Sequence, residues 1–172
     1  MKEDNILLAD ISYKGSIGAL NYKGIRYLIV RPETVVEIQK SLTEELGGAR
    51  AGEVFYRSGY RGTSLTAKRL LDEGASRKDI MRSMFHMGAN LGWGKFSVLN
   101  IDEASNRFTV RVEGSPFAEA YGKHNEPVCF LLSGALAGIL SGAYDRKYRC
   151  GEVECAAKGD PYCVFFLEPE KR

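Results

Sequence analysis

The chain has 172 residues, with 24 Lys and Arg against 22 Asp and Glu, a net charge of +2, and 44% hydrophobic residues. That is enough chain and enough apolar material for one globular domain with a core, and it excludes a disordered, fibrous or polyanion-binding protein. The departures from ordinary usage are 19 glycines and four cysteines, all four of the latter beyond residue 128.

The first ten residues carry Lys2, Glu3 and Asp4 and show no apolar run ending in a small-residue cleavage site. No secretory signal is read, and a cytoplasmic location is expected. Residues 16–20 and 26–30 are β-type runs on either side of Asn21, Tyr22, Lys23 and Gly24, which predicts an N-terminal hairpin. Residues 1–31 are therefore set apart as an extension of a main domain over 32–172. Pro32 suits the first turn of a helix, and Val35, Ile38 or Gln39, Leu42 and Leu46 follow at helical spacing until Gly47 and Gly48. A second helix over 51–73 places Val54, Phe55, Ser58, Gly62 and Leu65 along one side. Gly59 and Gly62 inside it cost about 1 kcal/mol each relative to Ala, which close packing would explain. Ser76, with Asp79 three residues on, caps a third helix whose apolar stripe is Ile80, Met81, Met84, Phe85, Gly88 and Leu91.

After Trp93 the period changes. Residues 95–101 and 107–113 read as strands, and in the second Phe108, Val110 and Val112 alternate with polar residues. Ser115 and Pro116 open a short helical turn, and Pro127 opens a long apolar helix. Residues 127–144 contain no charge, close to the minimum of roughly 17 residues for a bilayer span. Ser133, Ser141, three glycines and the immediate Asp145, Arg146 and Lys147 make a buried core helix the reading instead, with no membrane partner. Residues 148–155 and 162–167 form a final hairpin. The expected fold is α+β, with helices packed on an antiparallel sheet.

Gly134, Gly138 and Gly142 share one face of the apolar helix. Such a strip admits another backbone closely, or leaves room beside a ligand; packing is the plainer account. Cys155 and Cys163 flank the Gly159-Asp160-Pro161 turn, and Cys129 begins a helix of the kind that packs on the following sheet. Three thiolates could converge there, with Glu152 or Glu154 as a fourth donor, a set that suits zinc. On a regular strand both glutamates face away from Cys155, so a bulge or a strand end is needed. Buried unpaired thiols are the alternative.

The run from Glu152 through Cys155, Gly159, Asp160, Pro161 and Cys163 to Phe165 resembles the C-terminal signature of the 4-vinyl reductase domain family. Pro127-Val128-Cys129 and Ser133-Gly134-Ala135-Leu136-Ala137-Gly138 resemble its glycine-rich helix, and Gly59-Tyr60-Arg61 matches in general character. That family is similar in fold to the haem nitric-oxide-binding domain and to a subunit of the TRAPP tethering complex, and it includes aromatic-sensing domains of transcription activators. The resemblance implies a structural zinc held by Cys129, Glu152, Cys155 and Cys163, with Cys150 a buried thiol and His124 a solvated loop residue. A site with four protein donors is closed and serves stability rather than chemistry.

No nucleophile elbow, phosphate loop or dinucleotide fingerprint is present, which argues against an enzyme. Phe55, Tyr60, Met84, Trp93, Phe96 and Phe108 are the candidate lining of a pocket where helices meet sheet, with Trp93 as the preferred anchor. A filled core is the competing account of the same residues. Three functions follow: a zinc-stabilised module for a small hydrophobic or aromatic molecule, a sensor acting through a partner; a reductase or accessory subunit for a vinyl-bearing tetrapyrrole; or an assembly subunit without ligand. A homodimer is expected, since the hairpin edge needs cover. Neither membrane nor nucleic acid is expected as a partner.

Overall fold

A computed structural model describes residues 5–22 and 24–171. The elements run α1 (Ile6–Asp10), β1 (Ser12–Lys14), β2 (Ala19–Tyr22), β3 (Ile25–Tyr27), α2 (Pro32–Leu46), α3 (Gly48–Asp72), α4 (Arg77–Asn90), β4 (Lys95–Asp102), β5 (Arg107–Glu113), α5 (Pro116–Tyr121), α6 (Phe130–Tyr144), β6 (Tyr148–Glu154) and β7 (Cys163–Pro169). The strands form two antiparallel sheets, β1-β2-β3 and β4-β5-β7-β6. The fold is α+β, as the periodicities predict.

α6 is apolar on every side, so it must be buried on every side. One face packs on the four-stranded sheet, where Leu132, Leu136 and Leu140 meet Phe108, Val110, Val112, Phe165 and Leu167. The opposite face carries the glycine strip and packs on α3. A Cβ on Gly134, Gly138 or Gly142 would overlap the backbone at Tyr56, Tyr60 and Ser64, and one on Gly59 would lie 2.8 Å from the Ala135 nitrogen. Thr63 Oγ1 donates to the Ala135 carbonyl at 2.8 Å across the same seam. The strip therefore serves helix packing. Gly62 has nothing within 4 Å of its Cβ position, so close packing explains Gly59 and not Gly62.

Three local expectations are corrected. The N-terminal hairpin pairs Leu20 with Tyr27, and a third strand, β1, adds to it. Its first run is broken by a 3-10 turn over Gly15–Ile17 ending at Gly18, whose φ of 59° is left-handed, and residues 28–30 leave the sheet. Lys2, Glu3, Asp4 and Lys23 lie outside the described residues. α2 turns Val36 and Gln39 inward and leaves Ile38 half exposed, because the Gln39 amide donates to the Val128 carbonyl at 2.9 Å. That carbonyl also accepts from the Phe130 N–H at 2.9 Å, an i to i+2 turn that delays the start of α6 from Pro127 to Phe130.

Candidate metal centre and ligand groove

Cys129 occupies the residue just before α6, where the chain turns, and its side chain meets the end of the β6–β7 hairpin. Partners directly opposite on antiparallel strands share a face. Cys163 pairs with Val112, and Glu152 pairs with Phe165, so both point at the core. The β6–β7 register then shifts between Glu152 and Glu154. This bulge inserts one extra residue, which brings Cys155 round to the face of Cys163 and leaves Val153 exposed. The parity conflict read in the sequence is resolved in this way.

Cys129, Glu152, Cys155 and Cys163 thus each offer a donor atom within 4.8 Å of the others. Cys129 Sγ lies 3.8 Å from Cys163 Sγ. That is no disulfide, and it matches the edge of a tetrahedron built on Zn–S bonds of about 2.3 Å. Ser115 Oγ lies 3.4 Å from the Cys129 sulfur, and the Ala156 N–H donates to the Cys163 sulfur at 3.4 Å. The Cys129 N–H donates to Glu152 Oε2 at 2.9 Å, while Glu152 Oε1 is buried without a partner. Burial pushes the Glu152 carboxyl up to about 8. Bonds from the Cys129 and Cys163 thiols hold Cys155 well below the ordinary thiol range, and the bond to Cys155 raises Cys129. Three sulfurs and a carboxylate this close cannot all ionise unless a cation joins them. The donor set, the sulfur spacing and the orphaned oxygen all fit zinc. Cys150 stands apart, packed on the core with its backbone N–H donating to the Tyr56 hydroxyl, and His124 is an exposed loop residue, as expected.

A groove of about 980 Å³ runs between α4 and the β4–β5 hairpin. Residues one helical turn apart on α4, Met81, Phe85 and Ala89, form one wall; Phe96, Val98 and Ile101 form the other; Phe108 and Tyr144 line the inner part. Phe85 and Phe96 stack with centroids 5.3 Å apart, which Gly88 permits, since a Cβ there would come 2.9 Å from the Phe96 ring. Arg77 lies 4.7 Å above the Tyr144 ring.

The six candidate pocket residues do not converge. Phe96 and Phe108 line the groove, and Met84 packs behind it. Trp93, at the α4–β4 joint, meets Phe117 edge to face at 5.4 Å. Phe55 and Tyr60 belong to α3 and are separated from the sheet by α6, so they border no space shared with Phe108. The series Arg77, Met81, Phe85, Ala89 has regular four-residue spacing, and that signal could have identified the α4 wall.

Residues 108–169 match the 4-vinyl reductase domain. Over 149 residues, 81% of its length, the chain is 26% identical to the transcriptional regulatory protein XylR of Pseudomonas putida, and over 52 residues it is 42% identical to an uncharacterized protein of Methanocaldococcus jannaschii. The chain spans about a quarter of the length of these two relatives, 26% and 23% respectively. Among solved structures, the phenol-responsive sensory domain of the transcription activator PoxR, determined with phenol, superposes with a TM-score of 0.81 at 20% identity, covering 95% of this chain and 87% of that one. That likeness is one of fold.

Proposed function

From the premise that residues 108–169 form a 4-vinyl reductase domain, we propose that this chain is a cytoplasmic module that binds a small hydrophobic or aromatic molecule and passes the signal to a partner. The observation that carries this reading is the apolar groove between α4 and the β4–β5 hairpin, on a fold similar to a phenol-responsive domain. Its volume is at the upper end for small-molecule sites, and its aromatic walls suit flat apolar guests. Phe96 and Phe108 are the floor of this site, with Met84 and Trp93 holding α4 in place behind it. The competing enzyme reading has no support among the described residues, where no groups are arranged as a nucleophile with its base.

Cys129, Glu152, Cys155 and Cys163 hold a zinc ion in this proposal. Bound there, zinc supplies the positive charge that lets the thiolates stay buried together, and it ties the start of α6 to the β6–β7 hairpin. All four positions are filled by protein donors, so the role is structural.

The module acts as a homodimer. Leu8, Tyr13, Ile17, Ile25, Leu28 and Ile29 are each more than half exposed, and Leu28 and Ile29 about four-fifths. So many large apolar side chains on one short stretch call for cover, which a second copy of the same segment supplies. Native mass spectrometry of the purified chain tests the three parts together. The expected result is a dimer carrying one zinc per chain and gaining mass with an aromatic guest. A metal-free monomer that takes up no aromatic probe overturns the reading.

A further inference from the structure

The groove is apolar inside and basic at its rim. Arg77, Lys78, Arg82 and Lys95 border it, against Glu103 as the one acidic lining residue among those described. A chain with a net charge of only +2 has gathered four cations around one apolar slot. Two of the four are already engaged, since Arg82 pairs with Asp79 at 2.7 Å and Arg77 lies over the Tyr144 ring. Lys78, from the helix wall, and Lys95, from the strand wall, have no carboxylate partner among the described residues.

Resting on the reading of this groove as the ligand site, we infer that its ligand is a hydrophobic carboxylate, an anion with a flat or aliphatic apolar body, rather than a neutral hydrocarbon. The body lies on Phe85, Phe96 and Phe108, and the carboxylate reaches the rim and meets an unpaired lysine ammonium. A neutral guest would use the floor alone. A free anion without an apolar body would gain little from ammonium groups that water already solvates. The amphiphile uses both, because its bound charge stays at the wet edge while its body is dried, so neither group is left buried and unpaired. Charge-assisted bonds are the stronger class of hydrogen bond, and one such contact is worth roughly tenfold in affinity.

Titration calorimetry on the full chain tests this with two probes of the same ring system, 2-naphthoate and 2-naphthol. Naphthoate is expected to bind roughly tenfold more tightly, with a preference that shrinks as salt is raised. In the double variant Lys78→Gln/Lys95→Gln the preference disappears, while naphthol affinity stays within about twofold of the unmodified chain. Both lysines are exposed and unpaired, so the fold and its melting temperature should be unchanged. Ala89→Phe, which fills the groove from an exposed helix position, abolishes binding of both probes. Naphthol binding as tightly as naphthoate, or a naphthoate preference that survives the double variant, overturns the anion inference and leaves the groove as an apolar site. Failure of both probes to bind the unmodified chain, or unchanged binding to Ala89→Phe, overturns the groove reading itself and the inference with it.

Discussion

The two helices flanking the central layer meet their neighbours in opposite ways. α3 lies so close to α6 that backbone touches backbone, and the glycine strip leaves no room for a methyl group. α4 stands off the β4–β5 hairpin, with aromatic side chains as spacers and an open groove between them. Close packing without side chains fixes a distance and stores no space. Packing through large flat residues on one wall only leaves a slot that a guest can complete. The same domain can therefore hold a rigid spine and a yielding flank, and only the flank has the means to respond to a ligand.

The metal centre belongs to the rigid half, and its disruption is expected to have the largest effect. Cys129→Ser removes a donor and leaves the other three crowded, so zinc is lost and stability falls by about 4 kcal/mol or more. For a chain this long that is roughly 10 °C or more in Tm. Cys150→Ser places a hydroxyl in a buried spot and costs about 1–2 kcal/mol, but it retains the metal. Elemental analysis beside a thermal melt separates the two. Equal loss of zinc from both variants would show that the ligand set is wrong.

Next in size is the α3–α6 seam, where one substitution has opposite signs within a single helix. Gly59→Ala forces a methyl into the backbone of α6 and is expected to cost about 2–3 kcal/mol. Gly62→Ala meets nothing, so the change gains about 0.5–1 kcal/mol through helix propensity alone. Urea unfolding of both variants reads the sign directly. Equal effects would mean that the seam is looser than the described contacts. On the open flank, Trp93→Ala removes an edge contact with Phe117 at the joint and should cost about 2 kcal/mol, with zinc still bound.

This contrast also marks how far the sequence was readable. The glycine spacing, the Ser76 cap and the alternation of Phe108, Val110 and Val112 carried their meaning locally, because helix and strand periods put each on a known face. The zinc ligands were legible for a different reason: the residues from Glu152 to Phe165 form a recognisable signature, and the misfit of strand parity foretold the bulge between Glu152 and Glu154. The pocket was read less well. Phe55 and Tyr60 are apolar at helical spacing, which says that α3 is packed and not against what. The missing step was available, since a helix apolar all round must be the middle layer and must separate the helix before it from the sheet after it. The free lysines of the groove could not be foreseen, because pairing of surface charges is decided by tertiary neighbours.

The smallest expected effect tests what shapes the open flank. The loop from β4 to β5 supplies Glu103 and Asn106 to the groove, and Asp102 organises it by accepting from the Ala104 and Ser105 N–H groups at 3.1 and 3.2 Å and from the Ser105 hydroxyl. These bonds, the Ser105 hydroxyl foremost, hold the Asp102 carboxyl below the ordinary carboxylate range. A depressed folded-state value means that the ionised form stabilises the fold at every pH above the unfolded-state value, about 3.9, and that this support is lost as pH falls through the lowered folded value. Asp102→Asn keeps the side-chain shape but lacks the charge. It should melt slightly lower than the unmodified chain at neutral pH, with a constant difference down to about pH 4 and a shrinking one below. Its groove, held by a looser loop, should bind aromatic probes slightly more weakly over the same range. A difference in melting temperature that persists undiminished in acid would show that Asp102 acts by shape alone, and that the open flank does not depend on this charge.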